Sequence, residues 1–156
     1  MLRISKLTDY ATVILGVLAQ QPDRQLTSPQ LAQLTRIGAA TVSKVLKRLQ
    51  RSGLVTSTRG LHGGYTLARP AEQISAAAIL DALEGPVTIT DCSAGAGQCE
   101  IETTCRVGRT WQRVNLAIRR SLSDVTLAQL AGLQRLEQVV IVNPQRPLTA
   151  AERGAP

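Results

Sequence analysis

Residues 27–70 read TSPQLAQLTRIGAATVSKVLKRLQRSGLVTSTRGLHGGYTLARP, and the architecture turns on how this stretch folds. Ser28 followed by Pro29 has the form of a helix cap and a first helical residue: a hydroxyl accepts from the free N–H groups of a first turn, and proline has no N–H to leave unpaired. Leu31 and Leu34 give that helix a short buried face. Thr35-Arg36-Ile37-Gly38 breaks the pattern, after which Val42, Val45, Leu46 and Leu49 recur at helical spacing until Gly53 stops a second helix. Leu54-Val55-Thr56-Ser57 and Tyr65-Thr66-Leu67 are rich in strand formers and enclose a loop carrying Gly60, Gly63 and Gly64, which predicts a β-hairpin. Two helices on a short turn followed by a glycine-rich hairpin are the parts, in order, of a winged helix-turn-helix.

Upstream, Leu7, Ala11, Ile14, Leu15 and Leu18 form one stripe of a helix over 7–20, with Thr8 as its expected cap. Downstream, Pro70 ends the hairpin and Ser75 caps a helix whose apolar side is Ala78, Ile79, Ala82 and Leu83, closed by Gly85-Pro86. No period is sustained from Thr88 to about Cys105. Then Val107, Trp111, Val114, Ile118 and Val125 recur at the spacing of a coiled-coil seam, with Arg109, Arg113, Arg119 and Arg120 between them. Such a helix at the end of a small domain is best explained by packing against an identical helix; folding back on its own domain is the alternative. The short apolar run Val139–Val142 and the polar stretch NPQRPLTAAERGAP follow. The expected fold is mostly α with a small β-hairpin: a winged helix-turn-helix over 1–87, a cysteine loop over 88–106, a long dimerisation helix region over 107–132, and a flexible tail over 133–156.

The 156 residues contain no Phe, so the core must be aliphatic, and a formal charge of +7 attracts polyanions such as nucleic acid. No apolar run reaches the roughly 18 residues that cross a bilayer, and no cleavage site follows the first helix, which predicts a cytoplasmic protein without a membrane partner. On the second helix of the motif the apolar stripe leaves Thr41, Ser43, Lys44, Lys47 and Arg48 for a groove of double-stranded DNA, where Lys and Arg donate to phosphates or guanine edges. Thr27, Ser28 and Gln30 lie at a helix start suited to phosphate. In the hairpin, Arg59 and His62 flank glycines that let backbone approach a phosphate or a minor groove.

All three cysteines, Cys92, Cys99 and Cys105, fall in one polar, glycine-containing segment with the spacing C-x6-C-x5-C. An odd number in a reducing compartment argues against a structural disulfide, and three soft thiolates suit an iron-sulfur cluster or zinc, either of which takes a fourth ligand. Asp91, Glu100, Glu102 and Asp9 are the carboxylates available. A metal-free redox thiol sensor is the other reading. No histidine lies near a cysteine, which argues against a cysteine-dependent enzyme, so the chain is read as a non-enzyme.

The opening MLRISKLTDYA, the run TVSKVLKRLQRSGLVTSTRGLHGGYTLARP, the phrase ISAAAILDALEGPV and the spaced cysteines before a long helix resemble the iron-sulfur winged-helix regulators that include IscR-like and NsrR-like repressors. LTDYA, TVSKVLK and WQRVNLAIR together look like the branch regulating the SUF iron-sulfur assembly system. The resemblance implies a homodimeric repressor of assembly genes that binds a pseudo-palindromic operator and carries a 2Fe–2S or 4Fe–4S cluster near the dimer interface. IscR-like members place a histidine three residues after the last cysteine, where this chain has Gly108. NsrR-like members use an aspartate of the first helix, and Asp9 stands at the matching place, although an acidic residue there also suits the positive end of a helix.

Overall fold

A computed structural model describes residues 3–60, 63–93, 99–100 and 105–135, with Cys92 described by its backbone alone. His62, the centre of the cysteine loop and the tail beyond Arg135 lie outside the described residues. Helix α1 (Lys6–Ala19) is capped by Ser5, whose hydroxyl accepts from the Thr8 backbone N–H at 3.3 Å. The expected cap, Thr8, is instead the third helical residue, because Ser5 is extended and already turns the chain into the helix. Ala11, Ile14, Leu15 and Leu18 are buried, as their spacing predicts.

Helix α2 (Ser28–Thr35) begins one residue earlier in register than expected. Thr27 is the cap, forming a capping box with Gln30, so Ser28 and Pro29 are the first two helical residues. Arg36 ends α2 in the left-handed region (φ 58°), and Gly38, at an ordinary φ of −55°, precedes helix α3 (Ala39–Arg51). The left-handed residue of the turn is thus the arginine. Val42, Val45, Leu46 and Leu49 of α3 are fully buried.

Strands β1 (Val55–Thr58) and β2 (Gly64–Leu67) pair antiparallel, Val55 opposite Leu67 and Thr58 opposite Gly64. Leu26 pairs with Tyr65 across the other edge of β2, exchanging hydrogen bonds of 3.1 and 2.8 Å. A Cβ on Gly64 would stand 2.9 Å from the Leu26 backbone, so this close approach requires glycine. Helix α4 (Ala76–Glu84) follows, capped by Ser75 as expected and closed at Gly85 with φ 86°.

The expected long C-terminal helix is present, and it ends before the region over 107–132 does. Helix α5 (Gly108–Asp124) has seventeen residues and stops at Val125, which is extended. Thr126 then starts a new four-residue helix, α6 (Leu127–Leu130), with its own capping box to Gln129. The Val125 carbonyl accepts from Ala76 N–H at 2.8 Å, and Leu127 N–H donates to the Ile74 carbonyl at 2.7 Å. Leu127 and Ala128 enter the same core cluster as α1 and α3. Two backbone hydrogen bonds and a buried leucine decide the fate of this segment against continuing a helix.

Candidate nucleic-acid interface and cysteine loop

On α3, Ser43, Lys44 and Lys47 are exposed and Thr41 is half-buried. Neither lysine forms an ion pair among the described residues, which leaves both ammonium groups available to phosphates. No side chain caps the start of α3, so its first turn also presents backbone donors. Arg48 is placed differently: its guanidinium donates to the Leu83 carbonyl at 2.9 Å, fastening α3 to the last turn of α4.

The residues expected to contact phosphate at α2 are largely occupied with one another. Thr27 N–H donates to Gln30 Oε1 at 2.9 Å and Gln30 N–H to Thr27 Oγ1 at 3.4 Å, while Ser28 and Ser43 share a hydroxyl hydrogen bond of 3.1 Å between α2 and α3. That bond sets one helix of the motif against the other. Arg59 is exposed at the end of the hairpin, and Gln50 Nε2 donates to Ser57 Oγ at 2.8 Å, locking the hairpin to α3. His62 lies outside the described residues.

Cys92 falls in a single 3-10 turn, Asp91–Ser93, packed against α5. Cys99 and Cys105 are free, half-buried thiols. Among the described residues no three His, Cys, Asp or Glu side chains gather into one group. Asp9 is exposed in the first turn of α1 and lines an open groove of about 530 Å³ whose apolar floor includes Ile79, Leu80, Leu122 and Leu130. The structure therefore does not bring Asp9 together with Cys99 and Cys105 within one chain.

Sequence reasoning passed over three contacts that frame this region. Glu84, the last residue of α4, accepts from Ser5 N–H at 2.9 Å and from the Thr8 hydroxyl, and these donors hold its carboxyl below the usual value of 4.5 against a smaller opposing effect of burial. Arg119 of α5 forms a bidentate pair with Asp81 of α4, at 3.2 and 2.9 Å, which raises the guanidinium pKa. Asn115 of α5 is buried, and its Oδ1 accepts from Ile89 N–H at 3.2 Å. The last turn of α4 thus holds α1 through Glu84, α3 through Leu83 and α5 through Asp81. Alongside this anchored face α5 is bare, with Val107 at its cap and Trp111 and Val114 in its first two turns exposed by 59, 43 and 39%.

The profile of the Rrf2 family, described as iron-dependent transcriptional regulators, matches residues 4–132. The chain belongs to the Rrf2 family. As an Rrf2 protein it is a DNA-binding transcriptional regulator. It is 27% identical over 127 residues to an HTH-type transcriptional regulator of Haemophilus influenzae, covering 81% of this chain and 84% of that one. Among solved structures it is similar to CymR, the global cysteine regulator of B. subtilis (TM-score 0.67, 27% identity, 86% of this chain and 99% of that one). Staphylococcus aureus CymR aligns with a TM-score of 0.59 at 29% identity, over 81% of this chain and 96% of that one. T. potens IscR shares the fold, with a TM-score of 0.62 at 24% identity over 88% of this chain and 93% of that one. No helix among the described residues of this Rrf2 chain is long and apolar enough to cross a membrane.

Proposed function

We propose that this Rrf2 protein is a homodimeric repressor of iron-sulfur assembly genes whose operator affinity follows the state of a cluster held by Cys92, Cys99 and Cys105. The observation that carries the reading is the placement of the chain's three cysteines in the one segment that joins α4 to α5, with both described thiols free. Three thiolates fit a cluster by their softness, and they supply one ligand too few. Asp9 of the second subunit would complete the set, since it is exposed at the start of α1 and does not gather with Cys99 and Cys105 into one group within its own chain. When bound, the cluster supplies a redox- and nitric-oxide-sensitive centre.

The rest is done by the chain. The segment that leads into the loop begins at Gly85, directly after the α4 turn whose Leu83 carbonyl holds Arg48 of α3 and whose Glu84 holds the start of α1. A change in how the loop is ordered therefore reaches the recognition helix through one turn of backbone. Dimerisation along Val107, Trp111 and Val114 sets two such helices about 34 Å apart, or a multiple of it, to meet the half-sites of a pseudo-palindromic operator. Thr41, Ser43, Lys44 and Lys47 read the major groove, Ser28 with Thr27 and Gln30 presents the start of α2 to the backbone, and Arg59 and His62 carry the hairpin into the adjacent groove. Arg48 serves here by orienting α3.

A second reading, a sensor working through bare thiols or zinc, is favoured by the likeness to the cysteine regulator CymR, one of whose S. aureus structures is an oxidised form. One experiment separates the two. Anaerobically purified protein is examined by visible absorption and for iron and acid-labile sulfide, and its operator binding is compared before and after the metal is stripped. Broad sulfur-to-iron absorption with stoichiometric sulfide, and an affinity that changes on stripping, is the expected result. A colourless protein with unchanged binding would eliminate the cluster reading.

A further inference from the structure

An asparagine inside a helix is a weak helix former, and burying its amide costs free energy unless the amide finds a partner. Asn115 is 5% exposed in the middle of α5, seven residues after the buried Gly108 on the same face. Helix α5 packs against the 3-10 turn Asp91–Ser93. The Asn115 Oδ1 accepts from Ile89 N–H, three residues ahead of Cys92, at 3.2 Å. Beyond Ile89 the chain closes on itself: Ser93 N–H donates to the Thr90 carbonyl at 2.8 Å, and the two hydroxyls of Thr90 and Ser93 lie 2.9 Å apart. A self-closed turn fastened at its base by a buried acceptor has a defined place on α5.

We infer that Asn115 is the positioning residue of the cysteine loop, holding the turn that carries Cys92 against α5 so that this residue enters the ligand set with its backbone in a preset place. The inference rests on the metal-binding reading above and adds to it a residue that touches no metal. Groups that orient metal ligands are worth about 10- to 100-fold in metal affinity. Leucine shares the γ-branched skeleton of asparagine but cannot accept, whereas aspartate keeps the acceptor.

The reduced full-length protein is titrated anaerobically with Co²⁺, whose thiolate charge-transfer band reports the number of bound cysteines. In parallel, amide exchange at Ile89 is followed in the metal-free protein. Wild type is expected to bind Co²⁺ through three thiolates and to slow exchange at Ile89 roughly tenfold or more. Asn115→Leu loses that protection and binds Co²⁺ at least about tenfold more weakly, with a thiolate band reduced by one cysteine; Asn115→Asp restores both. Asn115→Leu binding Co²⁺ as wild type does would overturn the proposal. So would an unprotected Ile89 amide in wild type, a measurement that needs no variant to fold. Wild type binding no Co²⁺ through cysteine defeats the metal reading itself, and Ile89 exchange then decides separately whether Asn115 holds the turn.

Discussion

Arg36 stands in the left-handed region although it carries a Cβ, a conformation that costs an ordinary residue about 1–2 kcal/mol. Glycine relieves that cost and returns part of it through the freer unfolded chain. Arg36→Gly is therefore expected to raise unfolding stability by about 0.5–1 kcal/mol, read as a higher denaturant midpoint; a lower midpoint would show that the arginine side chain outweighs its backbone. Glu84 gives a pH dependence of known sign. Its carboxyl is depressed by the Thr8 hydroxyl and the Ser5 N–H, so its contribution is complete above the unfolded value near 4.5 and disappears as pH falls through the lower folded value. Glu84→Gln should flatten the acid limb of a stability-against-pH curve and leave its slope near neutrality unchanged. Both residues were hard to see in the sequence for the same reason. Gly38 drew attention to itself as the breaker between α2 and α3, yet a Cβ there would meet nothing within 4 Å, and Glu84 reads as one more exposed acid until Ser5 is brought beside it.

At the scale of elements, periodicity located α1 to α4 and the hairpin because each has an aliphatic stripe bounded by its own stop signal. It failed at the end of α5, where Val125 falls on the seam spacing and conceals the end of the helix. The signal was nonetheless present, since Thr126-x-x-Gln129 repeats the capping box that Thr27 and Gln30 form at α2. Leu127, with no exposed surface, makes this distinction measurable. Leu127→Ala should cost about 2–5 kcal/mol of unfolding free energy, seen as a large loss of thermal stability. A variant as stable as wild type would remove α6 from the core of the DNA-binding half. By contrast Asp81→Asn, which breaks a pair a third exposed on each side, should cost no more than about 1 kcal/mol and lose even that in high salt.

For the whole molecule, the bare face of α5 is the feature that a single chain leaves unexplained. Trp111→Glu places a charge at its centre without touching the buried core. Light scattering should then report a monomer whose thermal unfolding is that of an intact domain; a dimer of unchanged size would require a different interface. The winged-helix half was legible because its order of helices and glycines follows from local rules, whereas the metal site proposed above would draw Asp9 from one chain and cysteines from another, a meeting that no spacing encodes. Asn115 was invisible for a related reason: a lone polar letter among Trp111, Val114 and Ile118 reads as the wet side of a helix, and only its partner at Ile89 shows it to be buried.

Helix α5 is secured at its middle to the start of the cysteine loop by Asn115 and to its own domain by Arg119, and at its far end by the pairing of Val125 and Leu127 with the strand-like segment before α4. It is an arm that cannot swing independently of the domain it carries. In a dimer built on such arms, the two DNA-reading heads share one effective degree of freedom, the angle at which the arms cross. A tilt of about 5° over a helix some 25 Å long sweeps its tip by roughly 2 Å. Hydrogen bonds to a phosphate do not survive displacements of that size, so a small angular change at the crossing would be enough to release an operator.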